Sequence, residues 1–332
     1  MTLPPLLRFL LWPVSLLYGQ LGRLRVWLYA KGFFKQRSLG KPVISIGNLT
    51  VGGTGKTPMV IWLAQRLMAE GKRVGILSRG YKGSQGTSDE IEVMKARLRD
   101  GAVFGVGANR FAQGNRLEAS VDVFVLDDGF QHLALARDVD ILLVDASQPL
   151  ARQTLLPTGR LREPVSAMAR ADILIFTRTE TVAGTSAAVE KLEGFPVISA
   201  ATRLTGFRRF GDSIQAAPVE HVGPGPFYAF CGIGNPHAFF QDLQNWNLPL
   251  ADRCEFADHH RYDARDAREL EEAARQAGAK ALLTTEKDAQ NLGKVKFAEM
   301  PVYIALIEFE IAKADALLLL VRAKLESKVP VA

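Results

Sequence analysis

Two segments of the chain carry residue types whose order suits phosphoryl chemistry. The first is Gly52-Gly53-Thr54-Gly55-Lys56-Thr57, followed at once by Pro58. Glycines let successive backbone N–H groups curl around a phosphate, and the N-terminus of a following helix adds positive potential. Lys56 suits a bridge between the β- and γ-phosphates, and the Thr57 hydroxyl suits a Mg²⁺ ion. Thr50 stands where the strict motif has glycine, so the nucleotide-binding set Thr50, Val51, Gly52, Gly53, Thr54, Gly55, Lys56 and Thr57 is a variant form. The second segment is Asp127-Asp128, closing the apolar run 121–126. Adjacent carboxylates at a strand end repel unless a cation sits beside them, so Thr57, Asp127 and Asp128 are read as the metal-holding set.

These residues need a scaffold. The runs 43–46, 74–77, 103–106, 123–126, 141–144, 173–176 and 197–199 are short, β-branched and apolar throughout, as strands buried on both faces are. Helices are expected at 58–70, 109–120 and 186–192, and the alternation describes a doubly wound parallel α/β domain of P-loop type. Irregular, proline-bearing sequence near 201–226 reads as a connection. A second, smaller α/β lobe follows, with strands at 227–231, 254–256, 281–284 and 302–306 and helices at 237–246, 264–277 and 312–327. The expected domains are 1–40, 41–205, 206–226 as the connection, and 227–332, with a cleft between the two lobes.

A length of 332 residues supports two cores, and 48% hydrophobic with 23% charged residues excludes disorder. Cys231 and Cys254 cannot staple a chain of this size. The net charge of +6 hides an asymmetry: no Asp or Glu precedes Glu70, while seven Lys and Arg fall within the first 41 positions. Leu, Trp and Phe alternate with those cations. Within these 41 positions the longest uncharged stretch, 9–22, contains Pro13 and falls short of the roughly 20 apolar residues of a membrane span. An amphipathic helix lying in the membrane interface accounts for both traits. The competing reading is a helix packed on the protein's own core.

Guanine is the less favoured base. A guanine-binding loop wants Asn/Thr-Lys-x-Asp after a late strand, and the nearest segment is Thr177-Arg178-Thr179-Glu180. Val51 replaces the signature lysine of the dimeric ATPases.

In order, the chain holds Gly47-Asn48-Leu49-Thr50-Val51-Gly52-Gly53-Thr54-Gly55-Lys56-Thr57-Pro58, Ser78-Arg79-Gly80-Tyr81, Asp127-Asp128-Gly129-Phe130-Gln131-His132, Leu161-Arg162-Glu163-Pro164 and Thr284-Thr285-Glu286-Lys287-Asp288. This set resembles the tetraacyldisaccharide 4′-kinases, the lipid A kinases of Gram-negative bacteria, from the apolar N-terminus to near Leu306. The resemblance implies ATP- and Mg²⁺-dependent phosphorylation of the 4′-hydroxyl of a tetraacylated glucosamine disaccharide 1-phosphate. It also implies a peripheral protein at the cytoplasmic face of the inner membrane. A lipid-linked disaccharide, the inner leaflet and no nucleic acid are then the expected partners, and the chain is expected to act as a monomer.

An acceptor that carries a phosphate favours arginines, whose guanidinium binds it bidentately. Arg79, Arg110, Arg160 and Arg162 follow strands, where open α/β sheets place their ligands. With the motif residues Tyr81, Gln131 and Glu163, Arg79, Arg110 and Arg162 make up the substrate-binding set. The resemblance further implies that Asp89, in Ser88-Asp89-Glu90, is the general base, although the family usually has glycine where this chain has Ser88. It assigns to His259 the histidine that works with the base across the cleft; His260 next to it leaves the register open by one. Lys56 and Asp128 complete the catalytic set. Asp258 is expected to cap a helix as well, and 284–288 either caps a helix or touches substrate. Two competing functions are a membrane-associated P-loop regulator or metal-insertion GTPase, and a peripheral scaffold with a vestigial nucleotide site.

Overall fold

The computed structural model describes residues 4–80, 88–148, 150, 153–181, 196–212 and 225–327. Tyr81 and the helix expected at 186–192 lie outside these residues.

The chain divides into two compact units. The first comprises Met1–Tyr81, Arg97–Ala201 and Glu310–Ala332. Its strands are β1 (Val43–Asn48), β2 (Val74–Ser78), β3 (Ala102–Val106), β4 (Val123–Asp127), β5 (Val139–Asp145), β6 (Ile173–Thr177) and the first part of β7 (Val197–Arg209). They pair in parallel in the order β3-β2-β4-β1-β5-β6-β7. The residues of β1, β2, β4 and β5 are buried throughout, which is why these runs show no polar alternation. From β1 the chain moves outward to β2 and β3, returns as β4, and crosses to β5 on the far side. That places the loop after β1 at the point where the strand order reverses, the usual ligand position in such sheets.

Helix α1 (Pro5–Ala30) is continuous through Pro13. α2 (Lys56–Ala69) buries Met59, Val60, Leu63 and Leu67. α4 (Arg110–Leu117) is capped by the Asn109 side chain, which accepts from Ala112 N at 3.1 Å. α8 (Ala314–Ser327) ties itself to this unit by Arg322–Glu70 at 2.6 Å and Lys324–Asp172 at 3.0 Å. No helix among the described residues is long and apolar enough to cross a membrane.

The second unit gathers Lys82–Ala96 and Thr202–Phe309. It contains α3 (Asp89–Leu98) up to its next-to-last turn, β8 (Phe227–Cys231), α5 (Pro236–Asn245), β9 (Leu250–Glu255), α6 (Ala264–Gln276), β10 (Ala281–Thr285), α7 (Glu286–Leu292) and most of β11 (Val302–Ile311). Its parallel order is β11-β10-β8-β9. Phe227, Phe230, Phe240, Leu243 and Leu283 help fill two of its apolar clusters.

Several expectations are corrected. β7 runs to Arg209, so residues 201–209 of the segment read as connection are strand, held by Thr205 Oγ1 donating to Leu306 O and Phe210 N to Val302 O. β11 extends five residues past the expected 306. Asp258 caps no helix: α6 starts at Ala264, with Asp263 and Asp266 forming a reciprocal capping box.

Candidate active site

The glycine loop sits between the buried end of β1 and the first turn of α2. Gly52 and Gly55 have φ of 107° and 87°, values that L side chains resist, so the backbone conformation itself demands glycine at both. Arg160 braces the loop from outside. Its Nε and Nη2 donate to the Val51 carbonyl at 3.1 and 2.8 Å, and Val51 N donates to Arg160 O at 2.8 Å. Thr50 is buried, and its hydroxyl accepts from Asn48 Nδ2 at 3.5 Å. The Thr54 hydroxyl is buried with no hydrogen-bond partner among the described residues, while its carbonyl accepts from Thr177 Oγ1 at 3.2 Å.

Lys56, the first residue of α2, lies between two oxygens. Its Nζ donates to Asn48 Oδ1 at 3.3 Å and stands 3.6 Å from Asp128 Oδ1. Asn48 is a participant that motif spacing missed, although it closes β1 directly before the loop. Asp127 ends β4 beside Ile46 of β1, and Ser78 Oγ donates to its Oδ2 at 3.0 Å. Asp128 adopts a positive φ of 48° that turns the chain out of the sheet. Its two oxygens accept from Arg162 Nη1 at 2.8 and 2.7 Å. Burial disfavours the Asp128 charge, yet Lys56, Arg162 and Arg110 together outweigh it and hold this carboxyl below the usual range.

A tight crossing brings the Asp127–His132 stretch to the loop. A Cβ on Gly47 would meet Phe130 Cβ at 2.5 Å and Phe130 N at 2.7 Å, so only glycine allows the approach. Gln131 then donates to Asn48 O at 3.0 Å and accepts from Arg162 Nη1 at 3.4 Å. Arg110 opens α4, and its Nη1 lies 3.2 Å from His132 Nδ1. Burial pulls the Arg110 pKa down, Asp128 and Asp127 oppose this, and Arg79 adds to it. Burial, with Arg110, Arg137, Arg25 and Arg79 around it, lowers His132 to about 4. His132 is therefore neutral at physiological pH, in an arginine-rich setting that suits an anion.

Glu163 belongs to a different arrangement. Arg170 grips its carboxylate through Nη1 at 2.6 Å and Nη2 at 3.0 Å, and the same guanidinium lies 4.5 Å over the Phe130 ring. This pair fastens the Leu161–Pro164 stretch beneath the Asp127–His132 stretch. Arg79 is exposed at the end of β2.

The remaining candidates meet in the second unit. Asp89 is the first residue of α3, where Ser88 Oγ accepts from Ile91 N at 3.4 Å; the serine thus supplies an N-cap. The Asp89 side chain is 4% exposed, and its Oδ2 lies 3.0 Å from His259 Nδ1. Of the two neighbouring histidines it is His259 that meets Asp89. His260 instead contacts Asp266 at 2.9 Å and stacks on Phe256 at 4.6 Å between ring centroids. The two rings diverge because His259 has a φ of 61°. Rather than facing each other from separate lobes, Asp89 and His259 lie in one unit.

Asp288 fixes this turn from below. Fully buried, it accepts from Gly232 N at 2.8 Å, Tyr262 Oη at 2.8 Å and Thr285 Oγ1 at 2.6 Å. Gly232 O in turn accepts from His259 N at 3.0 Å. Burial raises the Asp288 pKa against the pull of those three donors. The 284–288 segment is thus a cap and a brace at Thr285 and Asp288. Sequence reasoning passed over Asn291, which donates to Asp89 Oδ2 at 3.3 Å; its place one turn after Lys287 on α7 was the available signal.

A lysine cradled at a helix start by a glycine loop, with carboxylates closing the neighbouring strand, defines a P-loop phosphoryl-transfer protein. The family model described as LpxK, tetraacyldisaccharide-1-P 4′-kinase, matches residues 7–326, and the chain belongs to this family. It is a phosphotransferase; the regulatory GTPase reading is not favoured. Among relatives named tetraacyldisaccharide 4′-kinase, that of Geobacter sulfurreducens is 40% identical over 311 residues, covering 88% of this chain and 86% of its own. That of Geobacter metallireducens is 41% identical over 318 residues, covering 90% and 92%. The crystal structure of LpxK from Aquifex aeolicus in complex with ATP superposes with a TM-score of 0.75 at 29% identity, covering 96% of this chain and 99% of that one.

Proposed function

We propose that this chain transfers the γ-phosphate of ATP to the 4′-hydroxyl of tetraacyldisaccharide 1-phosphate, giving lipid IVA in lipid A biosynthesis. The observation that carries the reading is the placement of Lys56 at the start of α2, between Asn48 and Asp128 and behind a loop built on positive-φ glycines. Backbone N–H groups of residues 52–57 hold the triphosphate, and Lys56 neutralises its outer oxygens. Thr57, Asp127 and Asp128 offer only hard oxygen donors, which fit Mg²⁺. Asp128 also meets Arg162 and Lys56. The ion, when bound, neutralises charge that develops on the phosphate oxygens.

Asp89 is the general base. Its carboxylate takes the proton of the 4′-hydroxyl as that oxygen bonds to the γ-phosphorus and the bond to the departing ADP breaks. His259 orients Asp89 and shares the proton. Arg79, Arg110, Arg162, Gln131 and Tyr81 hold the disaccharide phosphate, with Arg110 beside the neutral His132.

The chain works as a peripheral protein on the cytoplasmic face of the inner membrane. α1 supports this. It turns small residues to its own protein, Ser15 donating to Leu155 O at 3.2 Å and Gly19 lying against Leu155. Leu6, Phe9, Leu10, Trp12, Leu17 and Leu21 stay exposed. A helix packed on its own core would place them the other way round.

The test incubates purified protein with γ-labelled ATP, Mg²⁺ and the disaccharide 1-phosphate in detergent. Label on the lipid is the expected result; free phosphate alone would overturn the proposal.

A further inference from the structure

Ser15 is 4% exposed, although it stands in the middle of a helix whose Phe9, Trp12 and Leu17 lie open. Its hydroxyl serves one short turn of the body. Oγ donates to Leu155 O at 3.2 Å, accepts from Thr158 N at 3.2 Å and lies 2.8 Å from Thr158 Oγ1. Two turns earlier on α1, Arg8 Nη2 donates to Thr154 Oγ1 at 3.5 Å. One turn later, a Cβ on Gly19 would meet Leu155 Cδ1 at 2.6 Å. α1 therefore meets residues 154–158 at three places along its length.

The same turn leads directly into the residues that hold the nucleotide loop. Gly159 N donates to Leu155 O at 2.9 Å and Leu161 N to Thr154 O at 3.0 Å, so 154–161 closes on itself. A Cβ on Gly159 would run into Thr154 O, so the closure needs glycine there. Out of this turn Arg160 reaches the Val51 carbonyl with two N–H groups, and its Nη1 donates to Gln148 Oε1 at 2.9 Å. Arg162 N donates to Leu49 O at 2.7 Å, just ahead of the loop.

We infer that Ser15 is a positioning residue for ATP: from α1 it sets the 154–158 turn, and through Arg160 the course of the nucleotide loop at Val51. The inference rests on the reading of that loop as the triphosphate site. Buried backbone groups must be paired, and Ser15 pairs Thr158 N where the turn packs under the helix. Leu155 O keeps Gly159 N and Thr158 Oγ1 as donors without it. Thr158 N does not have such a second partner in the turn, so an alanine at 15 leaves a buried donor unmatched unless the turn shifts. Arg160 lies two residues on and moves with it. Backbone N–H groups that grip a phosphate must converge to within about 0.5 Å, so a displaced Val51 weakens ATP binding while the fold persists. No contact between Ser15 and ATP is required.

The experiment measures ATP binding with Mg²⁺ to the full chain in detergent by calorimetry, which returns the dissociation constant and the number of sites separately. The proteins are the parent, Ser15→Ala, Arg160→Met, the double variant and Lys56→Ala. One lost hydrogen bond is worth about threefold to tenfold, so Ser15→Ala should raise Kd for ATP by that factor with the number of sites unchanged. Arg160→Met should raise it at least as far. In the double variant Kd should stay within about twofold of Arg160→Met, because the route from Ser15 to the loop is already cut. Fewer sites at the parental Kd, or no sites at all, would overturn the inference, because a merely structural serine lowers the folded fraction and not the affinity of what remains. Penalties that multiply in the double variant would overturn it as well, since they make the two residues independent. Lys56→Ala separates the two failures. If it binds ATP as the parent does, the loop reading falls and Ser15 with it; if it loses ATP while Ser15→Ala keeps the parental Kd, only Ser15 falls.

Discussion

His259 Nδ1 lies 3.0 Å from Asp89 Oδ2 across 170 positions of sequence, and the contact forms inside one compact unit. The buried member is the carboxylate, at 4% exposure, while the histidine is 47% exposed. In the proposed function this makes Asp89 a base held by an orienting partner that can pass a proton on to water.

Replacing Asp89 by Ala should therefore lower turnover by at least about a hundredfold with ATP affinity nearly unchanged. The measurement is steady-state kinetics beside ATP-binding calorimetry. Turnover within threefold of the parent would remove Asp89 from the mechanism.

Lys56→Ala should leave the unliganded melting temperature close to that of the parent and abolish the stabilisation that ATP gives. A ligand that binds only the folded state stabilises it by about 2.7 kcal/mol at a hundredfold excess over Kd, so the lost shift is readily read in a thermal melt. An undiminished ATP shift in the variant would show that the loop does not hold the triphosphate.

His132 gives a pH dependence of stability. Its folded pKa of about 4 lies below the ordinary value of 6.5. Between these values the unfolded chain binds the proton and the folded one does not, so stability falls as pH drops from 6.5 towards 4. The limiting slope from one such group is about 1.4 kcal/mol per pH unit. Denaturant unfolding at pH 7, 6 and 5 should show this loss, and His132→Asn should flatten it. An identical slope in the variant would contradict the burial argument.

The Glu163–Arg170 pair separates a structural role from substrate binding. Glu163→Gln should cost about 2 kcal/mol by denaturant unfolding, the range for a charge-assisted bond, and leave KM for the lipid within threefold. A tenfold rise in KM at unchanged stability would place Glu163 on the substrate instead.

For α1, the double change Phe9→Ser with Leu17→Ser should weaken cosedimentation with anionic vesicles by at least about tenfold, because each exposed side chain contributes about 1.5–3 kcal/mol when buried in lipid. Both positions are exposed, so the melting temperature should not move. Undiminished vesicle binding would mean that α1 is not the attachment.

The first unit and its nucleotide loop were legible because their signals are local. A fully buried parallel strand must be apolar at every position, and a turn at positive φ must be glycine, so β1, β4, Gly52 and Gly55 announce themselves without any partner being known. Lys56, Thr57 and the paired aspartates follow from the same short-range logic. Partnership was not legible. Which histidine of 259 and 260 meets Asp89 depends on one left-handed residue and on a carbonyl 27 positions earlier, at Gly232. Lys287 and Asn291 reach the same carboxylate because α7 stands on the buried Asp288, and Glu163 is claimed by an arginine seven residues on. Strand runs and glycine turns are chosen by the backbone of a few neighbouring residues, which the amino-acid order carries. The ion pairs that aim the base and fasten the loop are chosen by through-space distance and desolvation, which exist only once the chain has folded.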